Sequence, residues 1–153
     1  MLINTKHFGQ IDITEDKIVE FEAGLFGFEE LKQYTIIHDV EDVEEGAVFW
    51  LQSIEEPSLA LPMINPLVVK KDYQPSVNEG TLKSLGNLTK DNIVMYLVMT
   101  VPADLTKMTA NLKAPIVINM DSRKGVQAVA DNADYIVKYN VYDLFSGIES
   151  EGK

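Results

Sequence analysis

The stretch FEAGLFGFEE, Phe21 to Glu30, places Gly24 and Gly27 three apart among three phenylalanines, and its only charges are Glu22, Glu29 and Glu30. A Gly-x-x-Gly loop can clamp a nucleic-acid backbone, as in KH domains. That chemistry works beside positive charge, and three carboxylates repel a phosphate. A phosphate-binding P-loop also fails, because no Gly-Lys-Ser/Thr follows. The glycines therefore read as a tight turn that uses positive φ. Leu25, Phe26 and Phe28 are expected to tuck their side chains beneath it.

A second group is DVEDVEEG, Asp39 to Gly46, with five acids in its first seven positions. A calcium loop needs oxygen ligands at positions 1, 3 and 5, glycine at 6 and glutamate at 12. Counting from Glu41 puts Gly46 at position 6 but Val43 at 3 and Gln52 at 12, so the match fails. The run reads as a solvated acidic loop whose functional reading is an electrostatic contact for a basic partner. His7 and His38 are the only histidines. No G-x-S-x-G elbow accompanies them, and no HExxH or CxxC motif exists. The chain has no cysteine, which excludes disulfides, thiolate nucleophiles and cysteine-held metals. No catalytic residue, metal site or cofactor is expected.

The net charge is −11, and Arg123 is the only arginine. Basic residues gather only as the pairs Lys70-Lys71 and Arg123-Lys124. Neutralising several phosphates takes clustered Lys and Arg, so direct nucleic-acid binding is not expected. An acidic chain does steer a basic protein towards itself. The N-terminus, MLINTKHFGQ, has no basic region before an apolar run, and the longest apolar run, Ile93 to Val101, is too short to span a bilayer. A cytoplasmic protein with no membrane partner is expected.

The 153 residues suit one domain, expected over 1–148 with a flexible tail at 149–153. Short runs rich in Val, Ile, Tyr and Phe, separated by Gly, Pro, Asn and Asp, predict strands. They fall at Lys17–Phe21, Tyr34–His38, Ala47–Ile54, Leu59–Ile64, Leu67–Lys70, Ile93–Val101, Ile116–Met120, Val126–Ala130 and Tyr135–Tyr139. In Ala47–Ile54, Val48, Trp50 and Gln52 share one face, with Phe49, Leu51 and Ser53 on the other. Apolar residues on both faces predict a strand covered on both sides, and Ile93–Val101 reads the same way. Helical turns are predicted at Phe28–Gln33, Asn78–Leu85 and Tyr142–Ile148. The expected fold is a mostly β, small single-domain β-barrel-like fold of short, mainly antiparallel strands with one to three short helices. Nothing demands association, so a monomer is expected.

The residues also resemble a known family, the FliW flagellar assembly factors. Its F-x-x-G-L-P-G-F-E signature is met in register by Phe21, Gly24, Leu25, Gly27, Phe28 and Glu29, and the chain departs at Phe26, where the family commonly has proline. Phe49-Trp50-Leu51-Gln52-Ser53 resembles the family's F-x-L-Q-S strand. Leu59-Ala60, Asn65-Pro66 and Asp72-Tyr73 resemble the segments that follow. Thr109 to Asn119 is similar to its T-x-N-L-x-A-P-I-V-I-N block, and Gly125-Val126-Gln127 comes after. The resemblance covers Met1 to about Tyr142.

It implies a non-enzymatic regulator with a small β-barrel-like fold and two partners taken in turn. One is flagellin, held in the cytoplasm before export. The other is CsrA, a basic RNA-binding repressor of flagellin mRNA translation. Among the motif residues, Leu51, Leu112, Ile116 and Ile118 are expected in the core, and Pro66 and Pro115 to set local structure. Gln52, Asp72, Tyr73 and Asn111 are the polar or amphipathic candidates for partner binding, with Glu41, Asp42, Glu44 and Glu45 of the acidic run as an electrostatic contact. Two other readings stay open: a small-molecule-binding barrel with a cavity lined by Trp50, Phe49 and the methionines, and an export chaperone that binds flagellin alone.

Overall fold

Alternating apolar residues need a covered surface on each side, and a closed sheet supplies it. A computed structural model of the chain describes residues 1–38 and 48–144. Among the described residues eleven strands run in chain order: β1 (Leu2–Asn4), β2 (Gln10–Asp12), β3 (Ile18–Glu20), β4 (Gln33–Ile37), β5 (Val48–Ser53), β6 (Ala60–Ile64), β7 (Ile93–Thr100), β8 (Thr109–Ala110), β9 (Ile116–Asn119), β10 (Lys124–Gln127) and β11 (Tyr139–Asn140). Two short helices, α1 (Pro66–Val69) and α2 (Glu79–Leu82), lie between β6 and β7.

Strands β3, β4, β5, β6 and β7 pair antiparallel in sequence order. β9 then pairs with β7, and β10 with β9. β10 returns to β3 and closes a seven-stranded barrel. β8 adds to the end of β7, and β11 adds to β8. The β1–β2 hairpin stands apart as its own two-stranded sheet.

Inward residues fill the barrel. Val19, Phe21, Tyr34, Leu51, Met63, Ile116 and Ile118 form its buried centre, with Phe49, Val94, Tyr96 and Val98 packed against them. A second cluster lies on the outer face, where Ile64, Leu97 and Met99 pack against Tyr73, Ala110, Leu112, Tyr135 and Val141. A third joins Leu85, Val117 and Ala128. β7 thus alternates between clusters along its length, and β5 does the same with the faces the sequence predicts. Tyr34 is fully buried and meets Phe21 edge-on at 5.3 Å between ring centroids. Burial, with the nearby Glu55 charge, pushes its phenol up to about 12.

The seam between β3 and β10 is the one parallel pairing among the described residues and has a single register pair, Lys124 with Glu20. Backbone bonding there continues in the Glu20 N–H donating to Arg123 O at 2.9 Å. Gly125 lies directly over the Phe21 ring: a Cβ there would stand 2.6 Å from Cζ. The strands approach this closely because position 125 has no side chain.

Several elements differ from the sequence reading. Leu67–Lys70 is not a strand; residues 66–69 form α1. Asn65 caps it by accepting from the Leu67 N–H, and Pro66 takes the first turn, where its missing N–H costs nothing. Those local signals outweigh the β-branched Val68-Val69. Phe28–Gln33 is no helix but a turn that enters β4, with Gln33 already in the strand. In Tyr135–Tyr139 only the last residue is in a strand, because Tyr135 turns inward to stack on Tyr73 at 4.8 Å. Val126–Ala130 pairs as a strand only to Gln127, and Ala130 makes an isolated bridge to Val77. The helix expected at Asn78–Leu85 is present as α2 and a following 3-10 turn. Tyr142 to Leu144 are helical, and the rest of that expected helix, like the tail, lies outside the described residues.

Gly125→Ala is expected to lower stability by about 1–3 kcal/mol, the cost of forcing a methyl into a packed core. Urea unfolding checks it; an unchanged midpoint would mean that the seam can spread.

Candidate interaction surface

The Gly-x-x-Gly stretch follows β3 and lies over the seam. Leu25 and Phe28 close a β-turn through the Phe28 N–H donating to Leu25 O at 2.8 Å. Gly27 holds φ +88 at the third position of that turn, the conformation a type II turn reserves for glycine. Gly24 holds φ +68 and is pressed against the Glu29 backbone, which a Cβ would meet at 2.6 Å. The Gly27 N–H also donates to the Glu29 carboxylate.

Only part of the expected tucking occurs. Leu25 is buried, whereas Phe26 is 56% exposed and Phe28 38%. The turn sends Leu25 down and Phe26 out, with Phe28 left partly exposed beside it. Phe26 stands at the turn position where proline would supply rigidity. Proline has no N–H, and here the Phe26 N–H donates to Gln127 Oε1 at 2.9 Å. The same amide donates from Nε2 to Ala114 O at 3.3 Å. A bond across the barrel seam thus stands in for a fixed φ. Beside it, Lys124 Nζ meets Glu22 Oε1 at 3.0 Å, and this contact raises the lysine pKa. Gln127 was legible only as part of a motif; nothing in its spacing gives this role.

Gln52 sits on the opposite side of β5 from Leu51 and is almost completely buried. Its Oε1 accepts the Lys6 N–H at 3.0 Å, and its Nε2 donates to Ser53 O, Pro57 O and Leu59 O. It ties the N-terminal hairpin and the β5–β6 turn to the barrel. Next to it, Trp50 faces outward and carries His7 at 4.3 Å between ring centroids. Trp50 and Pro62 line an open groove of about 660 Å³ together with Met99, Val101 and Met108. Phe49, on the other face, packs into the barrel centre. The two aromatic residues therefore line no common cavity.

Of Asp72, Tyr73 and Asn111, only Tyr73 belongs to the outer cluster. Tyr73 is buried and donates its hydroxyl to Leu112 O at 2.9 Å; burial raises its pKa. Asn111 Oδ1 accepts the N–H groups of Lys113 and Ala114, and so shapes the turn before Pro115. Asp72 is exposed and bonds Lys70 Nζ at 3.1 Å, which lowers the carboxyl pKa and raises that of the lysine. Leu51, Leu112, Ile116 and Ile118 are in the core, and Pro66 is buried. Glu41, Asp42, Glu44 and Glu45 lie outside the described residues.

Among the described residues no group of three or more His, Asp or Glu could hold a metal ion, and no helix is long and apolar enough to cross a membrane. His38 packs on Phe49 at 5.4 Å. Neither histidine hydrogen-bonds to an acid or a hydroxyl among the described residues.

A family model described as FliW protein matches residues 2–141. A flagellar assembly factor FliW from Lachnoclostridium phytofermentans is 51% identical over 145 residues, covering 95% of this chain and 93% of the relative. One from Lachnospira eligens is 47% identical over 151 residues, covering 98% and 100%. A crystal structure of the flagellar assembly factor FliW superposes with a TM-score of 0.81 at 34% identity, covering 92% of this chain and 96% of that one.

Gln52→Leu keeps the volume but removes the acceptor of the Lys6 N–H and the donor to Ser53 O, Pro57 O and Leu59 O, of which Leu59 O keeps the Ser53 N–H. Stability is expected to fall by about 1–3 kcal/mol, checked by chemical unfolding, with hydrogen exchange rising at Lys6 first. Unchanged stability and protection would remove Gln52 as the tie.

Proposed function

This chain belongs to the FliW family of flagellar assembly factors, and from that premise we propose that it acts without catalysis, as a cytoplasmic partner switch. It holds flagellin before export. When flagellin leaves, it binds the translational repressor CsrA and relieves repression of flagellin mRNA translation. The match of the family model to residues 2–141 carries this reading. The charge supports its CsrA arm: a protein at −11 attracts the basic surface that an RNA-binding repressor must possess.

The filled barrel interior weighs against the reading as a small-molecule carrier, because Phe21, Tyr34, Leu51, Met63, Ile116 and Ile118 occupy the space a ligand would need. The open apolar surface lies outside, where a protein can reach it. In this reading buried Gln52 and Tyr73 hold such surfaces in place, Asn111 shapes the turn before Pro115, and exposed Asp72 meets partners, with the acidic run as an electrostatic contact. The switch requires that the partners share a surface or bias a common conformation.

Purified protein, CsrA and flagellin monomer, combined in pairs and then together, test the reading by calorimetry and size-exclusion chromatography. Binding to each, with flagellin displacing CsrA, is expected. Binding to flagellin alone would leave an export chaperone, and binding to neither would end the proposal.

The acidic run has its own role in this scheme, which is to repel the RNA backbone once CsrA is bound. Changing Glu41, Asp42, Glu44 and Glu45 to their amides is then expected to weaken RNA displacement at raised CsrA concentrations that keep the complex formed. A gel-shift competition reads this, and undiminished displacement would remove the repulsion.

A further inference from the structure

We propose that the Phe26 turn is a preformed docking knob for a basic protein, one that offers an apolar pocket ringed by Lys or Arg. A single exposed phenylalanine is ordinary on a protein surface. Three features set this one apart.

The first is rigidity. The turn is anchored beneath by buried Leu25 and across the seam by the Phe26–Gln127 hydrogen bond. Gly24 and Gly27 hold backbone conformations that other residues rarely adopt. A turn held this way has little backbone freedom left to lose when its ring enters a pocket, which lowers the ordering cost of binding. The second is composition. Phe28 is also partly exposed, so two rings project from one turn. Aromatic anchors of this kind dominate binding energy where they are desolvated at the centre of an interface.

The third is the charge that surrounds the rings. Glu22, Glu29 and Glu30 are exposed in the same stretch. Glu20 pairs with Lys124 in the seam, and Glu55 accepts the Lys32 and Gln33 N–H groups where β4 begins. Against these five carboxylates stand Lys32, Arg123 and Lys124, and Lys124 is already bonded to Glu22. An apolar centre with an acidic rim selects a partner with the reverse rim. It disfavours an acidic partner and a nucleic acid alike.

This inference rests on the partner-switch reading, under which the basic partner is CsrA. It assigns the knob to the CsrA arm and leaves the flagellin arm elsewhere. Phe26→Ala keeps the backbone N–H for Gln127, and Phe26→Leu restores an apolar projection. Each variant is titrated by calorimetry against CsrA and against flagellin monomer, with melting temperature as the check on folding. The expected result is that Phe26→Ala weakens CsrA binding tenfold or more, that Phe26→Leu recovers part of it, and that flagellin affinity stays within twofold. Unchanged CsrA affinity in Phe26→Ala would overturn the proposal while leaving the partner switch standing. Equal losses for both partners would overturn the assignment to the basic one. Self-association of the parent protein that Phe26→Ala abolishes would give the knob to a second copy and overturn it too. If the parent protein fails to bind CsrA, the partner-switch reading falls, and this inference with it.

Discussion

The barrel exists only because β10 can lie against β3. Six of the seven pairings around the barrel are antiparallel ladders, and the seventh is a parallel contact with one register pair. Parallel pairing is slightly weaker per residue, and here few residues pair. The seam therefore leans on side chains. Phe21 fills the space under Gly125, Lys124 reaches Glu22, and Gln127 ties Ala114 to Phe26. If the seam opens, Phe21 and Tyr34 lose their cover, and two edges with unpaired backbone groups are exposed to other chains.

The same seam explains why the Gly-x-x-Gly stretch is so constrained. A loop crossing the join of a barrel must leave the strand sharply, turn, and return to the next strand without covering the closing partner. Positive φ at Gly24 and Gly27 makes the turn tight enough, and the Glu29 backbone then occupies the place where a residue 24 side chain would be. What reads in the sequence as a motif is a geometric solution for joining β3 to β4 around β10.

How much was legible follows from where each signal resides. The strands β5, β6, β7 and β9 announced themselves as near-continuous apolar runs with little exposed on either face, and β3 and β4 as shorter runs beside exposed Glu20 and Gln33. The hairpin β1–β2 and the pair β8–β11 did not, since their two- and three-residue strands lack the apolar run that continues from β3 into Phe21. Val68-Val69 misled because strand propensity is a preference for packing on a half-buried sheet, and the Asn65 cap acts first. The tucked or exposed state of Phe26 turned on turn position, which composition does not encode. Gln52 looked like a binding residue because it is polar within a motif. Its partners, Lys6, Pro57 and Leu59, are scattered along the chain, so its tying role appears only after folding.

The contact between His7 and Trp50 has an optical consequence. Trp50 is the only tryptophan in the chain, so all indole emission comes from one spot on the outer face, at the floor of the open groove. Any protein that seats there changes the polarity around that ring and shifts its wavelength. One that seats on the turn beside the seam, which contributes no residue to the groove, does not cover the indole. With partners that lack tryptophan, the protein carries its own label, and the colour of its fluorescence distinguishes the two faces without modification of the chain.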